Sequence, residues 1–180
     1  MPNLITYHRG IRGLSMATWT AENSYGPLYP ITGARGANLQ WVVESDELRG
    51  DDVVLDRYTT MVSATLSIQE ASIDLNVLDM WLGGTLVSNA NYYDLKVSDA
   101  DNVPYIAIVG HIVGSGGLGD LHFLLPKAKL AGNLQLNAAV DSYMIPQADF
   151  QGVQEGPING MLRLRHYNVY HPLALPLATS

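Results

Sequence analysis

One long alternation of side chains, between Tyr58 and Gln69, constrains the fold more than any other feature of the sequence. One face carries mainly apolar side chains, which are Tyr58, Val62, Ala64, Leu66 and Ile68. The other face carries mainly small polar ones, which are Thr59, Met61, Ser63, Thr65, Ser67 and Gln69. A period of two residues predicts a β-strand, because successive side chains of a strand point to opposite faces of its sheet. We expect the first face to pack on a core and the second, which carries almost no charge, to contact water.

The composition favours a mainly β protein with a single core. With 180 residues, of which 47% are hydrophobic, the chain is long enough to bury one sizeable core, and we predict one domain over residues 1–180. Thr, Ser, Asn, Gly and β-branched residues take the places that Lys and Glu occupy in helical proteins, which favours strands. Charged residues form only 15% of the chain, so we expect much of the surface to be buried against other copies.

Three features of the whole chain narrow its function. Cysteine is absent, which excludes disulfide frameworks, thiol catalysis and cysteine-based zinc sites. No stretch approaches the roughly eighteen apolar residues of a membrane span, and the first twenty residues lack an apolar signal segment, so neither membrane insertion nor export is expected. With a net charge of −7, the chain lacks the excess of basic residues expected of a protein that binds nucleic acid through its phosphates. Any DNA nearby is expected to pass without specific binding.

The two ends of the chain differ from its middle. Residues 1–30 are rich in Gly, Pro, Tyr and Ser with little periodicity, which predicts an N-terminal arm or extended loop with one short strand. Residues 31–168 form the predicted β core, whose first strand starts near Ala37 and places Trp41 at a core position. Residues 169–180 contain two prolines, which cannot join a central ladder and so predict a C-terminal arm.

A charged stretch over Ser45–Arg57 separates the first two predicted core strands. It contains a central glycine and is too polar for a core strand, which predicts a loop between them. Its charged residues are Asp46, Glu47, Arg49, Asp51, Asp52, Asp56 and Arg57. An ordinary solvated turn is the simplest interpretation. The order of the carboxylates does not match a calcium-binding EF-hand loop, so no metal is assigned.

A single helix is predicted at about residues 72–82. Ser72 is the expected cap, Asp74 is expected in the first turn, and two glycines after Leu82 end the helix. Its apolar stripe includes Trp81, which we expect to pack against a sheet. Further strands are predicted at 91–97, 103–113 (buried on both faces), 120–125, 133–141, 148–154 and 158–167. The predicted fold class is therefore a mainly β, antiparallel β-sandwich or split barrel with one flanking helix and extended terminal arms.

The histidines form no catalytic pattern in the sequence. His8, His111, His122, His166 and His171 are scattered, without an HExxH pair and without a serine or aspartate at a recognisable spacing. We therefore expect surface or core histidines, no enzyme activity and no cofactor.

The order of these parts resembles the major tail tube proteins of siphophages, over roughly residues 30–168. The matching places, in chain order, are Gly36–Trp41 leading into Asp46–Asp52, the strand to Ile68, the helix ending at Leu82–Gly84, Leu125–Leu130, the strand through Val140, and Ser142–Gly152. The family also resembles contractile-tail inner tube and type VI secretion tube proteins.

The resemblance implies a structural role in a virion. It implies hexameric rings that stack into a tube, with strands of every copy forming an inner barrel around DNA in transit, and arms and loops tying each ring to the next. The implied partners are other copies of the chain, the tape measure protein, and the tail terminator and distal tail proteins. The implied location is the virion tail, assembled in the host bacterial cytoplasm.

The resemblance also implies a role for each of two candidate surfaces. The strand face with Thr59, Ser63, Thr65, Ser67 and Gln69 would line the water-filled lumen. The charged stretch over Ser45–Arg57 would project toward a neighbouring subunit or the lumen, and Arg49 or Arg57 would pair across that interface.

A β-sandwich module that binds carbohydrate or a receptor is the main alternative. Such modules usually expose a cluster of aromatic side chains. Here Trp19, Trp41 and Trp81 are dispersed along the chain, and two of them occupy predicted core positions, which argues against a sugar platform.

Overall fold

The computed structural model describes residues 8–50, 53–70, 74–114, 119–132, 134–136, 145–157 and 160–175. These residues form one helix and eleven strands, and the protein is mainly β, as the composition predicts. The elements in chain order are β1 His8–Ala21, β2 Ser24–Tyr25, β3 Tyr29–Pro30, β4 Ala34–Gly50, β5 Val53–Glu70, α1 Leu75–Leu82, β6 Thr85–Ser88, β7 Tyr93–Lys96, β8 Ile106–Gly114, β9 Asp120–Leu130, β10 Gln147–Gly152 and β11 Arg163–Tyr167.

Nine of these strands form one main antiparallel sheet, which is not closed into a barrel. The order is β2-β1-β8-β9-β10-β5-β4, with β3 paired to β1 and β11 paired to β9. Strand β9 pairs with two different strands along one of its edges. Its first half pairs with β11, and its last residues pair with β10. Strands β6 and β7 form a separate hairpin. Of the predicted strand at 133–141, only residues 134–136 are described, and Gln135 there makes an isolated bridge to Gln147.

The core lies between the inner face of the main sheet and helix α1. Leu66, Ile108 and Phe150 are fully buried from the sheet side. Trp81 of the helix is buried against them, with its ring edge-on to Phe150 at 5.4 Å between centroids. The predicted position of Trp81 in the core is therefore confirmed. The predicted burial of β8 on both faces is confirmed as well, since Ile106 to His111 are all buried.

The helix has the predicted end but a different start. Asp74, which we expected in the first turn, is the N-cap, and its carboxylate accepts a hydrogen bond from the backbone N–H of Asn76 at 2.9 Å. Ser72 lies outside the described residues. Gly83 ends the helix with φ 71°, and its N–H donates to the carbonyl of Asp79 at 2.7 Å. A Cβ at this glycine would lie 2.5 Å from the carbonyl oxygen of Asn102, so the position excludes other residues.

The prediction of an N-terminal arm over residues 1–30 is wrong for the residues that the structure describes. Residues 8–21 form β1, which pairs along most of its length with β8 and buries Leu14, Met16 and Ala17. Register shifts on either side of Ile11 disturb the alternation of side chains. The strand therefore has no clean period of two in the sequence. Residues 1–7 lie outside the described part of the chain.

The predicted loop over Ser45–Arg57 is also wrong. Strand β4 continues to Gly50 and β5 begins at Val53, so the described residues of this stretch belong to the two paired strands of one long hairpin. Side chains from Trp41 to Asp46 on β4 and from Asp56 to Val62 on β5 are all exposed. Because neither face is buried here, charged residues are compatible with a strand, and polarity alone does not indicate a loop.

Candidate functional site

The outer face of the main sheet, opposite α1, has two halves. The first, which we call the open half, is formed by β4, β5 and β10. Side chains of directly paired residues share a face, so Ser67 lies between Asn38 of β4 and Asp149 of β10. The ten side chains that this register places together on these three strands are Asn38, Gln40, Val42, Ser63, Thr65, Ser67, Gln69, Gln147, Asp149 and Gln151. Asp149 is the one charged side chain among them, and Lys129 of β9 lies at their border opposite Gln151. The open half is therefore a mainly polar surface of nearly neutral charge.

The structure brings together four of the five residues predicted to share the wet face of this strand. Ser63, Thr65, Ser67 and Gln69 alternate with the fully buried Ala64, Leu66 and Ile68, as predicted. Thr59 does not lie with them. Ser63 pairs with Val42 and Met61 pairs with Val43, which leaves Val62 as an extra residue on β5. This β-bulge inverts the alternation, and Thr59 falls on the opposite face of the hairpin.

Strand β4 is a free edge of the main sheet. Among the described residues it pairs only with β5, so the other side of its backbone has no strand beside it. Exposed apolar side chains on the hairpin accompany this edge, and these are Trp41, Val42, Val43, Tyr58, Met61 and Val62. An unpaired strand edge with apolar side chains is a ready template for pairing with another chain.

The predicted charged residues lie beyond this apolar part of the hairpin. Glu47 and Arg57 are opposite each other and form a salt bridge within the chain, so Arg57 already has a partner. Asp46 and Asp56 are exposed, and a cleft of about 170 Å³ lies between them. The side chain of Arg49 and both Asp51 and Asp52 are outside what the structure describes. No cluster of three His, Cys, Asp or Glu side chains suited to a metal ion occurs in the described ranges.

A cavity of about 580 Å³ opens on the inner side of β4, where the main sheet fails to close. Its walls are apolar and include Ile11, Leu39, Phe123 and Leu164. Trp41 borders this cavity and is 54% exposed, so its predicted core position is wrong. The tryptophan lies on the inward face of β4, but at the point where the core beneath that face ends.

The second half of the outer face, which we call the covered half, is formed by β1, β8 and β9. Residues 168–175, after β11, lie over it, and we call them the C-terminal segment. Leu173 and Leu175 pack on the fully buried Val109 and Leu124. The part of the predicted C-terminal arm that is described, 169–175, is thus packed on its own sheet, while residues 176–180 lie outside the described chain.

Two histidines lie side by side under this segment. His111 of β8 and His122 of β9 are directly paired, buried, and 5.5 Å apart between ring centroids. Between ring centroids, Tyr167 lies 4.6 Å from His122 and 4.4 Å from His171, and Tyr170 lies 5.9 Å from His111. Burial is the main cause that lowers the pKa of both His111 and His122.

Sequence analysis missed this histidine pair, although a signal was present. The glycine-rich sequence at residues 114–119 predicts a flexible break, a hairpin or a loop hinge between the two flanking strands. The hairpin interpretation brings these strands together, and in the structure β8 and β9 pair with His111 opposite His122 and Val109 opposite Leu124. We did not extend the hairpin to this register from the sequence.

Neither a protein-family model nor a curated protein sequence matches the chain, so the comparisons do not assign it to a family. In the described part of the chain, no helix has the length and apolar character needed to cross a membrane.

Proposed function

We propose that this protein is a structural subunit of a phage tail tube, which forms stacked hexameric rings whose lumen conveys DNA to the host cell. The resemblance described above motivates the proposal. The observation that carries it is the combination of the free edge of β4 with the polar, nearly neutral open half beside it. A subunit of a tube needs both an edge that continues the sheet into the next copy and a smooth polar face for the bore.

The β4 edge supplies the first requirement. Pairing of β4 with a strand of another copy would satisfy its unpaired backbone groups and extend the antiparallel sheet from subunit to subunit. The exposed Val42 and Val43 would then be covered. The finer assignment of the fold, a split barrel or sandwich that closes through its neighbours, belongs to the same proposal.

The open half supplies the second requirement. Hydroxyl and amide side chains such as Thr65, Ser67 and Gln69 hydrogen-bond water but offer no positive charge to phosphates. DNA would therefore pass along this face without being held. Asp149, beside Ser67, adds one negative charge and Lys129, opposite Gln151 at the border with β9, adds one positive charge, so the face stays close to neutral.

The distal hairpin suits contacts between rings. Its exposed Tyr58 and the carboxylates of Asp46 and Asp56 extend the interface beyond the apolar edge. Because Arg57 pairs with Glu47 inside the chain, we assign any cross-ring ion pair to other residues. The proposal includes the partners and place that the resemblance implies: the tape measure, terminator and distal tail proteins, in a virion tail assembled in the host bacterial cytoplasm. No catalytic role is proposed.

A binding module for carbohydrate or a receptor is the second candidate. The exposed Trp41 at the rim of the apolar cavity favours it, since aromatic rings beside a cleft suit such ligands. Trp19 does not add to this site. Its ring lies 4.0 Å from the ammonium group of Lys127, and its indole N–H donates to Glu155 at 2.8 Å.

Electron microscopy of the purified protein tests the proposal. We expect rings or hollow tubes from the unaltered chain. The double variant Val42→Lys with Val43→Lys places charges on both faces of the β4 edge, and we expect it to remain folded but to form no tubes. A monodisperse monomer that binds glycans would instead support the binding module.

Val87→Lys is the matched control. Val87 is 48% exposed on β6, close to the 52% and 56% of Val42 and Val43, but it belongs to the separate β6–β7 hairpin. We expect this variant to assemble like the unaltered protein. Normal tubes from the Val42→Lys, Val43→Lys protein would show that β4 is not the assembly edge.

A further inference from the structure

The C-terminal segment is held on the covered half by three kinds of contact. Leu173 and Leu175 pack on Val109 and Leu124. The ring of Tyr170 is edge-on to His111. The backbone N–H of His171 donates to a carboxylate oxygen of the buried Asp120 at 3.1 Å. The segment therefore covers an apolar patch and a histidine pair at the same time.

The histidine pair is buried with few hydrogen bonds to the described residues, and one of these joins His122 to the backbone of His171. His111 is 7% exposed and His122 is 1% exposed. Both ring nitrogens of His111 and the Nε2 atom of His122 lack a hydrogen-bond partner there. Neutral imidazoles tolerate such a site, but an imidazolium would have to give up its hydration, and two of them would repel each other.

We propose that the C-terminal segment is a pH-sensitive clasp, closed over the covered half at neutral pH and released when His111 and His122 take up protons. The proposal concerns only the residues of this chain, so it holds whether or not the protein forms a tube. Release would expose Val109 and Leu124 together with the two imidazoles. Water would then solvate the charged rings, which is the gain that drives opening.

The groups that face the pair decide the direction of the effect. Arg12 on β1 opposes the charging of His111, and the side chain of His171 opposes that of His122, whereas the hydrogen bond from the His171 backbone favours it. Asp120 on β9 favours the charging of both histidines, and one of its carboxylate oxygens lies 4.0 Å from the Nε2 atom of His122. Tyr167 and Tyr170 contact the rings. Arg165 of β11 is paired directly with His122, and its guanidinium carbon lies 6.0 Å from the ring centroid of Tyr167. Burial outweighs the aspartate, and the pKa of each histidine is lowered in the closed state.

The open state therefore binds protons more readily than the closed state. The clasp is fully stable above the ordinary histidine pKa of about 6.5 and loses stability as the pH falls below it. The ratio of open to closed protein is expected to rise up to about tenfold per pH unit for each proton taken up, and up to about 100-fold per unit for two.

A spin label on the C-terminal segment tests the proposal. The chain has no cysteine, so Val169→Cys at an exposed position of the segment can be labelled uniquely with a nitroxide. We expect an immobilised electron paramagnetic resonance spectrum at about pH 8 and a mobile one at about pH 5. The same label combined with His111→Gln and His122→Gln should show no such transition. His166→Gln, on the opposite face of β11 from Tyr167, is the matched control and should keep it.

Two results would overturn the proposal. Equal mobility of the label at both pH values would show that acid does not release the segment, and a transition that persists in the His111→Gln, His122→Gln protein would show that other groups sense pH. If that double variant fails to fold by circular dichroism, each single variant should still weaken the transition, and an unchanged transition in both would contradict the proposal. Leu173→Ala should give a mobile label at both pH values, and an immobilised one would show that the leucine does not hold the clasp.

Discussion

The open and covered halves of the outer face differ in what lies over them, although one antiparallel sheet carries both. On the open half, small polar side chains such as Thr65 and Ser67 alternate with buried ones and contact solvent. On the covered half, Val109 and Leu124 are fully buried on the same outer face because the C-terminal segment packs on them. The first half is available for contacts with other molecules, and the second serves the stability of the chain itself.

This difference shows what an alternation of apolar and polar residues indicates. The alternation marks a strand with one face in contact with solvent, and a strand buried on both faces lacks it. Strand β5 keeps a period of two between Ser63 and Gln69 because only one of its faces is buried. Strand β8 has apolar residues in a continuous run because both faces are buried. A substitution should therefore have unequal effects at equivalent positions of the two halves.

Leu124→Ala tests the covered half and has the largest expected effect. It removes a fully buried side chain beneath Leu173 and Leu175, and we expect the free energy of unfolding to fall by about 2–5 kcal/mol. Ser67→Ala, on the open half, should change it by less than about 0.5 kcal/mol. Urea unfolding followed by circular dichroism measures both values. Equal losses in the two variants would mean that the halves do not differ in burial.

The same contrast explains which elements could be predicted from the sequence. The strand to Gln69, the doubly buried β8 and the helix with Trp81 follow from patterns within single segments. Their signals are local, because burial of one face, two faces or a helical stripe leaves a distinct period in the chain.

The other elements depend on contacts between distant segments or on broken periods. Register shifts around Ile11 disturb the alternation in β1, so its sequence does not predict a strand. The exposed hairpin beyond Trp41 has no buried face, so its sequence has no apolar pattern. The bulge at Val62 moves Thr59 to the other face, which no count of residues reveals. The histidine pair forms only when β8 and β9 meet, and the C-terminal segment gains its position from the patch that they create.

Leu173→Ala tests the C-terminal segment and should have an intermediate effect on the free energy of unfolding. The side chain is only partly buried, so we expect the free energy of unfolding to fall by about 1–2 kcal/mol. Val169→Ala, at an exposed position of the same segment, should change it by less than about 0.5 kcal/mol. Hydrogen exchange should show faster exchange of the backbone amides around Leu124 in the first variant only. No change at Leu124 would indicate that the segment does not protect β9.

Ser67→Lys tests the open half, where we expect the smallest effect on the subunit and a clear one on the assembly. A lysine at this solvent-facing position should change the free energy of unfolding by less than about 0.5 kcal/mol. In a tube, however, it would place a ring of positive charges along the lumen, and DNA there would be retained through its phosphates. We expect tubes of this variant, assembled with short duplex DNA, to hold nuclease-protected DNA at low salt and to release it at high salt. Ser88→Lys, at an exposed position of β6, should leave any bound DNA open to nuclease. Equal protection in both variants would place the open half outside the lumen, because only an enclosed surface shields DNA from the enzyme.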